Sequence, residues 1–141
     1  MIRKAQFAVA FLAVAVLALG GEAREDNLHY VETYSMINLI ATPEAYAGKK
    51  LRAIGVATVG FESDAIYLTT EDARLGVGVN GIALSFTGFE ISETRKKSLH
   101  MKHVLVEGTF VPWDPASPLF WRGSIKDLSL IYALEDVEIV E

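Results

Sequence analysis

The stretch Lys49-Lys50-Leu51-Arg52-Ala53-Ile54-Gly55-Val56-Ala57-Thr58-Val59-Gly60 decides the fold. Leu51, Ala53 and Gly55 alternate with Arg52, Ile54 and Val56, the period of two that marks a strand with unlike faces. After Gly55 both faces are apolar. A strand whose burial changes halfway along, with glycine at the change, predicts a bulge or bend there, so that one long strand serves two sheets.

Working outward, Phe61-Glu62-Ser63-Asp64 reads as a turn and Ala65 to Thr70 as the return strand. Glu71 to Leu75 is one helical turn ahead of Gly76, Gly78 and Gly81, and Ile82, Leu84 and Phe86 mark a third strand. Residues 91–99 predict a helix, with Ser92 as N-cap, Glu93 early and Arg95, Lys96 and Lys97 late, the order that suits the helix dipole. Met101 to Val111 is a fourth strand. Pro112, Pro115 and Pro118 then impose a loop, and a fifth strand runs from Gly123 to about Leu134, with Val137 to Val140 as a possible continuation. Upstream, Ser35 caps a short helix whose Met36, Ile37, Leu39 and Ile40 are expected on one face. Thr42-Pro43-Glu44 opens a second helical segment that Gly48 closes.

Strand, strand, strand, helix, strand, strand is the element order of an OB-fold, a five-stranded Greek-key barrel with a helix between its third and fourth strands. An immunoglobulin-like sandwich needs about seven strands and lacks that helix. The fold class expected is therefore mainly β, with a short N-terminal helical segment and Leu51, Leu68, Leu84, Val106 and Leu130 in the core.

The residues 35–44 (SMINLIATPE), Tyr46-Ala47-Gly48-Lys49-Lys50-Leu51-Arg52, Ile66-Tyr67-Leu68, Glu71-Asp72-Ala73, Asn80-Gly81-Ile82-Ala83-Leu84 and 104–110 (VLVEGTF) carry a resemblance. Together they resemble a family of small exported bacterial OB-fold proteins of uncharacterised function, over roughly residues 33–132. The resemblance implies the barrel and export but no activity. One departure is the segment before the last strand, polar and glycine-rich in the family and Pro112 to Trp121 here.

The N-terminus reads as an export signal. Arg3 and Lys4 precede 13 consecutive apolar residues, Phe7 to Leu19, and small residues then offer cleavage after Gly20 or after Ala23. The run is shorter than the roughly 20 residues of a membrane span, which favours a removed peptide over a retained anchor and leaves no stable membrane insertion after cleavage. The expected organisation is a signal peptide over 1–23, a flexible lead-in over 24–34 and a single domain over 35–141, in the periplasm or secreted. Without Arg3, Lys4 and Glu22 the chain has 11 basic and 17 acidic residues, a formal charge of −6. That charge repels phosphate backbones and argues against nucleic acid as a partner. No cysteine is present, which excludes disulfides, thiol catalysis and thiolate metal sites.

The candidate site residues are Trp113, Phe120 and Trp121, in the loop that joins the last two strands and borders the usual OB binding surface. Exposed, they would stack on sugar rings or bases or anchor a protein; folded back, they would cap the open barrel end. Phe61 in the first hairpin and Tyr67 on the second strand extend that surface, or are ordinary barrel exterior. His100-Met101-Lys102-His103 has a ligand-like spacing, but a strand begins within it, so no metal or other cofactor is expected. Arg95, Lys96, Lys97 and Lys102 read as a solvated face, with an anionic surface as the alternative. No catalytic motif appears, and Gly76-Val77-Gly78-Val79-Asn80-Gly81 leads into a strand where a dinucleotide site would need a helix. The expectation is a non-enzymatic binding or adaptor module of the bacterial cell envelope, with an envelope protein or glycan as partner. An oligonucleotide-binding protein and a glycan-processing hydrolase are the alternatives.

Overall fold

The strand opened by Lys50 does change neighbours where its pattern changes. In the computed structural model β2 (Lys50–Thr58) pairs along one edge with β5 (His103–Pro112), antiparallel, from Lys50↔Thr109 to Val56↔His103 with no register shift at Gly55, so the expected bulge is absent there and the strand serves one sheet, not two. Its other edge is shared. Arg52 and Ala53 face a short parallel strand β1 (Thr33–Tyr34), and Val56 to Thr58 face β3 (Ala65–Tyr67). Gly55 stands at the changeover, where a Cβ would lie 2.9 Å from the Tyr67 carbonyl oxygen and 3.0 Å from the Ile66 Cβ. Only glycine lets β3 approach so closely.

The structure describes residues 30–60, 63–117 and 120–137. The chain divides into Met1–Tyr30 and Val31–Glu141, and the elements of the described residues belong to the second unit. The expected export segment, Phe61 and the continuation over 138–140 lie outside the described residues.

From β3 the sheet continues antiparallel to β4 (Gly81–Leu84), parallel to β6 (Gly123–Ala133) and antiparallel to β5, which returns to β2. The five strands β2-β3-β4-β6-β5 close an OB-fold-like barrel, with β1 as an added edge strand. Helix α1 (Met36–Ala41) precedes β2, α2 (Thr70–Leu75) lies between β3 and β4, and α3 (Glu93–Ser98) between β4 and β5. Ser35, Thr69 and Ser92 cap the three helices by accepting from the amides of Ile37, Asp72 and Arg95.

Alternation fills the interior. Leu51 and Ala53, Ile66, Ile82 and Leu84, Val104, Val106 and Phe110, and Ile125, Leu128 and Ile131 form one cluster, joined by Met36 and Leu39 of α1 and by Leu99 after α3. Each fully buried aliphatic side chain contributes about 1.5–3 kcal/mol. Of the expected core, Leu51, Leu84 and Val106 are buried, whereas Leu68 is 37% exposed and Leu130 half-buried. Leu68 lies past the end of β3, because Thr69 starts α2. Leu130 pairs with Glu107 while Ile131 pairs with the buried Val106, so alternation puts Leu130 on the opposite face; beyond it Thr109 pairs with Lys126, so β6 carries a bulge of two extra residues and Asp127 takes a positive φ of 50°. Leu128 and Ile131 point inward in its place.

Two further expectations are corrected. Thr33 and Tyr34 are not flexible lead-in, since the Arg52 amide bonds the Glu32 carbonyl (2.9 Å) and the Tyr34 ring meets Tyr46 edge-on at 4.9 Å. Ile37 is 60% exposed, because a helical residue beside Met36 lies about 100° around the axis from it. Among the described residues one charge is buried, Glu107. Its carboxylate accepts from Arg52 Nε (2.7 Å) and Ser129 Oγ (2.5 Å), with Lys50 Nζ at 3.4 Å. The Ser129 hydrogen bond, then Arg52 and Lys50, holds this carboxyl below its usual range against the opposing effect of burial.

Candidate functional site

The outer face of β2, β3 and β4, where an OB-fold ordinarily meets its ligand, is occupied by the chain itself. Val56, Ala65 and Tyr67 point away from the barrel interior and form a second small core with Ala73 of α2. Met101 and Trp121 pack against it. The folding logic is local. Thr69 ends the strand by capping α2, Gly76 adopts the left-handed conformation (φ 68°) that stops the helix, and Asp72 accepts from both Thr69 Oγ1 and Asn80 Nδ2. These contacts hold α2 across the face.

Tyr67 therefore lies on the outer face but is not solvent-exposed surface. It is 3% exposed, its phenol is shifted upward by burial, and its ring meets Trp121 edge-on with centroids 5.4 Å apart at 68°. The Trp121 ring sits on Gly81, where a Cβ would be 2.8 Å from Cζ3, while Phe120 sits on Gly78, where a Cβ would be 3.3 Å from the Phe120 Cβ. The backbone fixes the same arrangement: Arg122 N–H donates to the Gly81 carbonyl (3.2 Å) and Trp113 N–H to the Arg122 carbonyl (3.1 Å).

The aromatic loop thus divides between the two readings made from sequence. Trp121 is half-buried and covers a sheet face, not the open barrel end. Trp113 remains 40% exposed and Phe120 81% exposed. Between Trp113 and Trp121 lies a groove of about 260 Å³ whose floor includes Ala83 and Ser124, partners across the β4–β6 pairing, and whose lining includes Asp114 and Lys126. Asp114 is oriented by its own turn, with Oδ1 accepting from the Ala116 amide at 2.9 Å. Lys126 makes no ion pair among the described residues.

Asp114, Ser124 and Lys126 carry no sequence signal of a site. Ser124 and Lys126 stand on a strand that reads as ordinary alternation, and only the return of the loop brings them beneath the two tryptophans. Gly81 could have been noticed, as a glycine at the start of an apolar strand opposite an aromatic loop.

The remaining candidates are dispersed. Lys96 pairs with Asp64 (2.7 Å) and lies over the Phe86 ring at 4.6 Å, and Lys102 pairs with Asp136 at 3.6 Å, so the basic run is not one free patch. A second groove of about 370 Å³ lies between Val59-Gly60 and Glu93, Lys96 and Lys97 of α3, beside the first hairpin; Phe61 itself is outside the described residues. His100 Nδ1 accepts from the Val59 amide at 3.2 Å, and His103 is a β5 residue opposite Val56. Among the described residues no three His, Asp or Glu side chains gather as a metal site, and no helix is long and apolar enough to cross a membrane. Compared with models of protein families and with curated proteins, this sequence matches none.

Proposed function

We propose that this barrel is a non-catalytic binding or adaptor module of the bacterial cell envelope, exported through its N-terminal segment, with the β5–β6 loop as its contact surface. One observation carries the reading: Trp113 stays 40% exposed across a groove from Trp121, on the loop that borders the OB ligand face. A rigid aromatic that is not needed to cover the core offers contact area at low entropic cost. Export rests on Arg3, Lys4 and the apolar run 7–19, and on the resemblance to an exported family.

The test uses a photoreactive phenylalanine analogue in place of Phe120, which is exposed enough to tolerate it. Crosslinking in envelope fractions is expected to give discrete adducts that Trp113→Ala removes while the barrel keeps its melting temperature. Adducts of equal yield in Trp113→Ala would refute the loop as the contact surface. Intact-mass measurement of envelope material is expected to show a chain beginning at Gly21 or Arg24. A full-length chain recovered only from membranes would replace export with anchoring.

A further inference from the structure

Resting on that reading, we infer that the groove between Trp113 and Trp121 is a subsite for one ring of a neutral glycan. Size comes first. At about 260 Å³ the groove is just under the roughly 300–1,000 Å³ of pockets that take drug-sized ligands, and suits a single substituted ring. A protein partner ordinarily covers roughly 800 Å² on each side, far more than this groove presents.

The walls and rim then choose the ring. Trp113 offers an exposed indole, and the aliphatic C–H face of a pyranose packs on such a surface. Asp114 and Lys126 put one carboxylate and one ammonium on the same small site. A sugar hydroxyl both donates and accepts, so it satisfies the two together, donating to Asp114 and accepting from Lys126. An acidic sugar would gain Lys126 but meet Asp114 as a like charge. A polyanion would in addition meet a chain that carries 11 basic and 17 acidic residues beyond Ala23.

Trp121 acts as a positioning residue. Its ring packs against Tyr67 and Gly81, so the wall it presents to the groove cannot turn freely. The ligand meets a preformed wall and binding orders little of the protein.

The chain contains two tryptophans, and both border this groove, so tryptophan emission, excited beyond the tyrosine absorption, reports on its walls. The purified protein is titrated with cellotriose, maltotriose and triacetylchitotriose, and with trigalacturonate as the acidic counterpart, each to about 10 mM. At least one neutral trisaccharide is expected to shift the emission saturably. Trp113→Ala, which also removes one of the two emitters, is read by titration calorimetry and is expected to weaken binding tenfold or more with an unchanged melting temperature, and trigalacturonate to bind at least tenfold more weakly. No response to any neutral trisaccharide, equal binding by Trp113→Ala, or preference for trigalacturonate would overturn the inference. Crosslinking from position 120 separates the two levels. Failure of the sugars alongside Trp113-dependent capture of a protein would end the glycan assignment and leave the binding module standing. Failure of both would end both.

Discussion

Replacing Gly81 by alanine tests whether Trp121 is seated as described, without touching either tryptophan. The new Cβ would lie 2.8 Å from Trp121 Cζ3, 2.9 Å from Cε3 and 3.1 Å from Tyr67 Cε1. Carbon atoms rest at about 3.5 Å or more, so the indole must retreat by about 0.7 Å. Tyr67 is 3% exposed and held among Val56, Ala65 and Ala73, so the half-buried Trp121 is the ring that yields. Overpacking of this kind costs about 1–3 kcal/mol, and the edge-to-face contact is worth about 0.5–1.5 kcal/mol. Because Trp121 can move outward, the expected loss is about 1–2 kcal/mol, or a melting temperature lower by about 4–8 °C for a domain of this size. Gly78→Ala is the control, since its Cβ would be 3.3 Å from both the Cβ and the carbonyl oxygen of Phe120, contacts that a shift of a few tenths of an ångström of the exposed loop relieves. That change should stay within about 0.5 kcal/mol. Circular-dichroism melting and tryptophan emission are measured on both variants. Unchanged melting and emission in Gly81→Ala would refute the seating of Trp121 on β4.

Trp121→Ala is expected to lose about 2 kcal/mol through the Tyr67 contact and its buried area, whereas Trp113→Ala melts with the wild type; equal melting of the two variants would remove the distinction between wall and exposed anchor. Val106→Asp places an unpaired charge in the barrel interior and is expected to prevent folding, so a wild-type melting curve would overturn the assignment of β5. Glu107 has a lowered pKa in the folded chain, so the stability it supplies is fully present above its ordinary value near 4.5 and is lost as pH falls through the folded value. Glu107→Gln should therefore narrow the difference in melting temperature between pH 7 and pH 3, and an undiminished difference would show that other groups carry the acid sensitivity.

The barrel was legible because its signals are local. The alternation through Leu51 and Ala53, the glycine at 55, and the capping residues Ser35 and Ser92 act over a few residues, and each occurs where expected. Leu68 and Leu130 failed for reasons equally local but hidden. Thr69 chose a helix cap over a strand position, and Ile131 took the inward position opposite Val106, with a bulge at Asp127 bringing Leu128 in beside it. Neither the bulge nor the pairing of Thr33 and Tyr34 with β2 has a sequence period to announce it. Each depends on which edge or surface lies opposite.

The site belongs almost wholly to tertiary structure. From the sequence, Trp113, Phe120 and Trp121 are three aromatics in one proline-rich loop with nothing to separate them. Their different roles arise because the loop returns over β4, where Gly78 and Gly81 leave room for Phe120 and Trp121, and because Tyr67 offers Trp121 an apolar seat. The sequence by itself determined the order of the five barrel strands and part of the interior, Leu51, Leu84 and Val106, since periodicity and capping are properties of neighbouring residues. Only the tertiary structure decided which aromatic became a wall and which stayed exposed, because burial depends on surfaces supplied from far along the chain, Gly78 and Gly81 on one side and Tyr67 on the other.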